Sequence, residues 1–117
     1  MKSSIYLHIP YCKQACSYCD FHFSTNLRTR EDVLNQMLQE IDTRSVVAPW
    51  NNTQIGSIYF GGGTPSLLES EEIERILQHI HHTFKDISQE VEITLEANPD
   101  DITPERLEYW YGAGINR

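Results

Sequence analysis

The sequence predicts an α/β fold in which a β-strand is followed by an α-helix three times. Runs of β-branched and alternating apolar residues predict strands at residues 4–9, 55–60 and 90–96. Apolar residues at helical spacing predict a helix after each strand. Such a chain starts either a (β/α) barrel or a doubly wound sheet, and both folds place their chemistry at the carboxyl ends of the strands.

Each strand is expected to have two different faces. Side chains alternate along the first strand, so Tyr6 and His8 share one face and Ile5, Leu7 and Ile9 share the other. The third strand alternates in the same way, with apolar residues at 91, 93 and 95 opposite polar residues at 92, 94 and 96. The apolar face is expected to pack against the helices.

Helix boundaries are predicted from capping residues. Thr29, Ser70 and Thr103 are candidate N-caps, and Gly112 is the candidate left-handed residue that closes the third helix. Residues 115–117 would then begin a fourth strand. Three strands cannot close a barrel, so we expect the third strand to keep an unpaired edge and the chain to be incomplete.

Composition suits a single domain or part of one. The chain has 117 residues, a hydrophobic fraction of 39% and a formal net charge of −8. This acidic balance argues against a nucleic-acid-binding surface, which needs clustered Lys and Arg. No apolar run approaches the roughly 20 residues of a membrane span, and the start of the chain does not resemble a secretion signal. We expect a protein of the reducing cytoplasm.

The three cysteines of the chain, Cys12, Cys16 and Cys19, lie in one loop at the spacing C-x3-C-x2-C. Three such thiolates can hold three irons of a [4Fe–4S] cluster and leave the fourth iron open to an outside ligand. The spacing also permits zinc, with His8 or His22 as the fourth ligand, so a non-enzymatic zinc-binding module is an alternative. The odd number of cysteines disfavours a disulfide framework. The spacing favours the cluster.

Five stretches match a known family in order and spacing. They are YLHIPYC at residues 6–12, CDF at 19–21, FGGGTPSL at 60–67, LEANP at 95–99 and GAGINR at 112–117. With them the chain resembles the radical S-adenosylmethionine (SAM) superfamily, within it the oxygen-independent coproporphyrinogen III oxidases and the related heme chaperones of the HemW type. The resemblance implies that residues 1–117 are the N-terminal part of a radical SAM core domain, the first three βα units of a partial (β/α) barrel.

The resemblance also implies the site residues. The cluster ligands would be Cys12, Cys16 and Cys19, with SAM chelating the open iron. The residues that would contact SAM are Tyr6, Tyr18, Gly62, Gly63, Thr64 and Glu96. These residue types suit the roles, because glycines allow close backbone approach to a small zwitterion and a carboxylate accepts hydrogen bonds from an ammonium or from hydroxyls. No residue is assigned a catalytic role.

Position 21 separates two branches of that family. The oxidases that resemble this chain carry a further cysteine two residues after the third cluster ligand, where this chain has Phe21. The resemblance therefore favours a heme chaperone, with heme or a porphyrin as a further ligand and an unidentified heme-acceptor protein as its partner. An oxidase-like decarboxylase of porphyrin biosynthesis is the alternative enzyme.

Five other residues are expected to have ordinary structural roles. His79, His81 and His82 lie between core positions of the second predicted helix and are expected on its solvated face. Trp50 and Trp110 are expected to be packing residues.

Overall fold

A computed structural model describes residues 2–11 and 30–117. These residues form three strands and three helices in the predicted order: β1 Lys2–Ile9, α1 Arg30–Ser45, β2 Gln54–Gly62, α2 Ser70–Thr83, β3 Ile87–Leu95 and α3 Pro104–Ala113. Short 3₁₀ turns lie at Trp50–Asn52, Pro65–Leu67 and Pro99–Asp101. The predicted α/β class is confirmed.

The three strands form a parallel sheet in the order β1-β2-β3. Tyr6 of β1 is level with Tyr59 of β2, and Tyr59 is level with Thr94 of β3. Closer to the carboxyl ends, His8 is level with Gly61. Because parallel neighbours run in the same direction, all three strands end at one rim of the sheet.

One face of the sheet is covered by the helices. Ile5, Leu7 and Ile9 of β1 are each at most 7% exposed, as the alternation predicted. They belong to one core cluster that also contains Ile58, Phe60, Ile93 and Leu95 from the sheet and Leu34, Ile41, Ile73, Ile76, Leu77, Ile80 and Trp110 from the helices. Burial of this apolar surface, worth about 25 cal/mol per Å², holds the helices on the sheet. Tyr6 and His8 lie on the opposite face and are exposed.

The start of α2 differs from the prediction. Its N-cap is Glu69, whose backbone N–H donates to the Glu72 carboxylate at 2.7 Å while its own side chain accepts from the Glu72 N–H. This reciprocal pair is a capping box. The prediction of Ser70 as the cap is therefore wrong, because Ser70 is already the first helical residue.

The end of α3 also differs. The helix continues through Gly112, and Gly114 is the left-handed residue with a φ of 119°. The prediction for Gly112 is therefore wrong by two positions. Residues 112–114 have the sequence Gly-Ala-Gly, and either glycine can adopt a left-handed conformation. Thr103 caps the other end as predicted, by accepting from the Arg106 N–H at 3.1 Å. The predicted cap of α1, Thr29, lies outside the described residues.

The outer edge of β3 is partly paired, contrary to the expectation of an open edge. The N–H of Asn116 donates to the Ile93 carbonyl at 2.9 Å, and the N–H of Leu95 donates to the Arg117 carbonyl at 3.1 Å. The Asn116 side chain adds two more bonds, accepting from the Ile93 N–H at 2.8 Å and donating to the Val91 carbonyl at 3.0 Å. Residues 115–117 therefore lie where a fourth parallel strand would begin.

The two tryptophans pack as predicted. Trp110 is 4% exposed, and the ring of Trp50 lies against Phe84 with centroids 6.1 Å apart. His79, which was expected on the solvated face of α2, also links α2 to α1, because its Nε2 lies 2.8 Å from Oδ1 of Asp42. No helix in the described part of the chain is long and apolar enough to cross a membrane.

Candidate functional site

The rim at the carboxyl ends of the strands collects aromatic and acidic side chains on the face of the sheet opposite the core. Tyr6 is 57% exposed and Tyr59 37% exposed. Glu96 directly follows β3, and its backbone N–H donates to the Phe60 carbonyl at 3.1 Å, which continues the sheet by one residue. The structure therefore brings together Tyr6, Glu96 and the glycine turn after β2, three of the features that the sequence analysis singled out.

The glycine turn is held tightly against the end of β1. Gly62 has a φ of 104°, a conformation that side chains other than glycine rarely adopt. The N–H of Gly63 donates to the Ile9 carbonyl at 2.8 Å, and the N–H of Thr64 donates to the Tyr11 carbonyl at 2.6 Å. These two N–H groups are therefore engaged in holding the turn.

Tyr11 anchors the chain at the point where the cysteine loop begins. It is 2% exposed, and its carbonyl is fixed by the Thr64 N–H. Cys12 is the next residue in the sequence. The chain is described again from Arg30, whose guanidinium pairs with Glu72 of α2 at 3.0 Å. Tyr11 and Arg30, the described residues on either side of the cysteine loop, are thus both tied to other described elements.

Several predicted site residues lie in that segment and outside the described residues. They are Cys12, Cys16, Tyr18, Cys19, Phe21 and His22. Their roles as ligands or contacts stay predictions. Within residues 2–11 and 30–117, no three His, Cys, Asp or Glu side chains come together in a way that could hold a metal ion.

Tyr59 is a site residue that the sequence analysis missed. Its hydroxyl donates to Oε2 of Glu96 at 2.6 Å, and its ring stacks on Tyr6 with centroids 5.8 Å apart and an interplanar angle of 19°. Alternation along β2 could have found it, because Ile58 and Phe60 on either side are buried.

The glutamate changes the titration of this tyrosine. The hydrogen bond to Glu96 raises the pKa of the Tyr59 phenol above its ordinary value of 10.0, and desolvation acts in the same direction. The phenol therefore remains a hydrogen-bond donor to the carboxylate throughout the neutral range. Glu96 is held on the open face with its second oxygen available to a donor from a ligand.

A buried network joins the glycine turn to the segment after β3. Ser66 is 1% exposed, its hydroxyl donates to Asp101 at 2.7 Å, and the same oxygen accepts from the Asn98 N–H at 3.1 Å. Arg106 of α3 donates to the carbonyls of Ser66 and Leu68 at 2.7 and 3.1 Å. The two loops that carry the turn and Glu96 are thereby fixed relative to each other.

The residues present suit a small zwitterionic ligand with an aromatic part. The rim offers a stacked pair of tyrosine rings, an exposed carboxylate and a backbone turn whose N–H groups are already bonded. Carboxylate and carbonyl oxygens can accept from an ammonium or from hydroxyls, and exposed aromatic faces can pack against a flat ring. The roles of Tyr6, the turn at Gly62, and Glu96 as contacts of SAM stay predictions.

Comparison with known proteins identifies relatives along almost the whole chain. The family model described as the Radical SAM superfamily matches residues 6–117. The heme chaperone HemW of Bacillus subtilis is 36% identical over 118 residues, covering 100% of this chain and 30% of the relative. The heme chaperone HemW of Haemophilus influenzae is 38% identical over 118 residues, covering 97% of this chain and 30% of the relative.

A solved structure is similar in fold. The coproporphyrinogen III oxidase (HemN) from Escherichia coli, described as a radical SAM enzyme, superposes with a TM-score of 0.84 at 26% sequence identity. The superposition covers 99% of this chain and 26% of that one. The chain thus spans less than a third of the length of the relatives it matches.

Proposed function

The chain belongs to the radical SAM superfamily, and from that premise we propose that residues 1–117 are the N-terminal part of a core domain that binds a [4Fe–4S] cluster and SAM. The observation that carries the proposal is the match to this superfamily over residues 6–117. The geometry of the rim supports it, because the cysteine loop, the glycine turn and Glu96 all start from the same end of the sheet.

The cysteine loop is proposed to hold the cluster. Cys12, Cys16 and Cys19 would be its three ligands, and the fixed position of Tyr11 next to Cys12 supports a loop held at the rim. When bound, the cluster and SAM supply one-electron reductive chemistry, which the protein itself does not provide. The zinc-binding alternative is disfavoured, because the chain matches the Radical SAM superfamily over residues 6–117.

The described residues are proposed to bind and orient SAM. Glu96 would accept hydrogen bonds from a polar group of SAM, and Tyr6 would pack against it, as would Tyr18 of the cysteine loop. The carbonyl oxygens in the turn formed by Gly62, Gly63 and Thr64 would face the ammonium. This refines the predicted clamp, because the N–H groups of Gly63 and Thr64 already donate to the carbonyls of Ile9 and Tyr11.

The whole protein is proposed to be a cytoplasmic heme chaperone that binds heme and transfers it to an acceptor protein. Two observations support this branch over the oxidase: the identities of 36% and 38% to heme chaperones, against 26% to the oxidase structure, and Phe21 in place of a cysteine. The oxidase-like decarboxylase stays the second candidate, supported by the fold similarity to coproporphyrinogen III oxidase.

Turnover and heme binding separate the two candidates. The full-length protein, reconstituted without oxygen, is incubated with SAM, a reductant and coproporphyrinogen III, and the porphyrins are separated by chromatography. In parallel, heme is titrated and followed by its absorbance. We expect heme to bind with a defined stoichiometry and no decarboxylated product to form. Sustained formation of protoporphyrinogen would assign the protein to the oxidase branch.

A further inference from the structure

Tyr59 and Glu96 form a pair on the open face of the sheet. The hydroxyl of Tyr59 lies 2.6 Å from Oε2 of Glu96, a short bond of the kind made to a charged acceptor. The Tyr59 ring is fixed in turn by its stacking on Tyr6, at 5.8 Å between centroids. Among the described residues, the Tyr59 hydroxyl is the hydrogen-bond partner of the Glu96 side chain, so it is the group that fixes the orientation of this carboxylate.

Gly61 makes room for this arrangement. A β-carbon at Gly61 would lie 2.8 Å from Cε1 of Tyr59 and 2.9 Å from the hydroxyl oxygen of Tyr6. Both distances are shorter than a carbon can tolerate, so the two rings fill the space that a side chain at Gly61 would need. The first glycine of the turn therefore serves the tyrosine pair, whereas Gly62 serves the backbone conformation of the turn.

We propose that Tyr59 is a positioning residue, whose hydroxyl holds the Glu96 carboxylate in the orientation that receives a hydrogen-bond donor of SAM. This inference rests on the proposed function, because it takes SAM as the ligand of Glu96. Tyr59 acts through Glu96 and needs no contact with SAM itself.

The tyrosine does not block the carboxylate. An ionised carboxylate has two oxygens and about four lone-pair sites, and Tyr59 occupies one of them. Within residues 2–11 and 30–117, the remaining sites, including those on Oε1, are free to accept from donors on the exposed face. Fixing the carboxylate beforehand reduces the rotamer entropy that SAM binding would otherwise have to remove. The hydrogen bond should therefore strengthen binding.

A double-mutant cycle on SAM affinity is the test. The full-length protein carrying its cluster is titrated with SAM by calorimetry, as wild type, Tyr59→Phe, Glu96→Gln and the double variant. Tyr59→Phe keeps the ring and its stacking on Tyr6 but removes the hydroxyl. We expect it to weaken SAM binding about three- to tenfold, and to have little further effect once Glu96→Gln is present.

Tyr109→Phe is the matched control. Tyr109 also donates to a glutamate, Glu74, at 3.2 Å, and burial together with that hydrogen bond raises its phenol pKa, but Tyr109 and Glu74 lie on helices, α3 and α2, and not on the sheet. Its loss should leave SAM affinity unchanged within about twofold. A decrease equal to that of Tyr59→Phe would show a general effect on stability and would overturn the proposal.

Tyrosinate absorbance gives a readout that is independent of SAM. The difference between the alkaline titrations of wild type and Tyr59→Phe reports Tyr59 alone, and the groups that act on it are Glu96, Tyr6 and Arg117. We expect Glu96→Gln to lower the pKa of Tyr59 toward 10.0, because the charged acceptor is gone. An unchanged titration would mean that the pair does not form and would overturn the proposal.

The outcomes also distinguish this inference from the proposed function. If the wild type and Tyr59→Phe bind SAM equally well, the positioning role of Tyr59 is contradicted and the proposed function is not. Losses that simply multiply in the double variant show that Tyr59 acts independently of Glu96, which also overturns the inference. Wild type with an intact cluster and no SAM binding contradicts the proposed function and, with it, the role of Tyr59.

Discussion

A β-carbon on Gly62 would lie 2.8 Å from the carbonyl oxygen of Ile9 and 3.0 Å from the His8 ring. The φ of this glycine is 104°, so both space and backbone conformation exclude a side chain. The family resemblance predicts that Gly62 allows close approach of the ligand to the backbone. The structure adds a requirement that is independent of any ligand, because Gly62 lies directly against the end of β1.

Gly62→Ala should therefore destabilise the protein before any ligand is considered. We expect a loss of about 1–3 kcal/mol in the free energy of unfolding, measured by urea denaturation of the full-length protein. Gly112→Ala is the control, because a β-carbon there has no neighbour within 4 Å. Equal stability of wild type and Gly62→Ala would contradict the described turn.

Gly62→Val should reduce both SAM affinity and iron content. A β-branched side chain would block close approach of a ligand to the backbone of the turn. Gly62 also lies two residues from Thr64, whose N–H fixes the carbonyl of Tyr11 next to Cys12. We therefore expect both quantities to fall, as measured by calorimetry and by iron analysis of the full-length protein. Loss of SAM affinity with unchanged iron content would contradict the link between the turn and the cysteine loop.

Among the secondary-structure elements, α3 gives the clearest test of a boundary. Gly112 is helical and exposed, whereas Gly114 has a φ of 119° and its missing β-carbon would lie 3.4 Å from Cδ1 of Ile93. Gly112→Ala should stabilise the protein by about 0.4–1 kcal/mol, because alanine loses less backbone entropy in a helix. Gly114→Ala should destabilise it. Thermal unfolding measures both effects. Destabilisation by Gly112→Ala together with stabilisation by Gly114→Ala would contradict this boundary and make Gly112 the end of the helix.

The existence of the helices and strands was predictable, and so was the start of α3 at Thr103, but the start of α2 and the end of α3 were not. Periods of two and of 3.6 residues are set by the buried face, so burial of Ile5 or Ile73 follows from pattern alone. Caps depend on which of several competing side chains reaches the backbone. Glu69 prevails over Ser70 because Glu72 completes the reciprocal pair, a choice that a list of good N-cap residues does not contain.

In the described part of the chain, one face of the sheet is exposed and one edge of the sheet is unpaired. The sheet face with Tyr6 and Tyr59 is open, and within the described residues β1 is paired on one side only. An unpaired strand edge can pair with another chain. The outer edge of β3 is better protected than the sequence indicated, since residues 115–117 bond to it.

A polypeptide of residues 1–117 alone should therefore associate and melt without a sharp transition. Size-exclusion chromatography with light scattering measures the association, and circular dichroism follows the melt. The exposed edge is now expected to be that of β1, rather than that of β3. A monomeric peak with a cooperative melt would show that three βα units suffice for a stable fold.

The proximity of the site residues was predictable from the topology of the sheet. The contacts between their side chains were not. Parallel strands end at one rim, so Glu96 and the glycine turn had to be close. The bond between Tyr59 and Glu96 depends on side-chain rotamers and on the space left by Gly61. No sequence pattern carries that information.

The central claim is that Cys12, Cys16 and Cys19 hold a [4Fe–4S] cluster whose open iron is reached by SAM at the rim. The most direct measurement is the electron paramagnetic resonance spectrum of the reduced full-length protein, reconstituted without oxygen, before and after SAM is added. We predict about four irons per chain, a spectrum that changes on SAM addition, and loss of both in Cys16→Ser. Zinc without sulfide, or a complete cluster whose spectrum SAM does not alter, would contradict the claim.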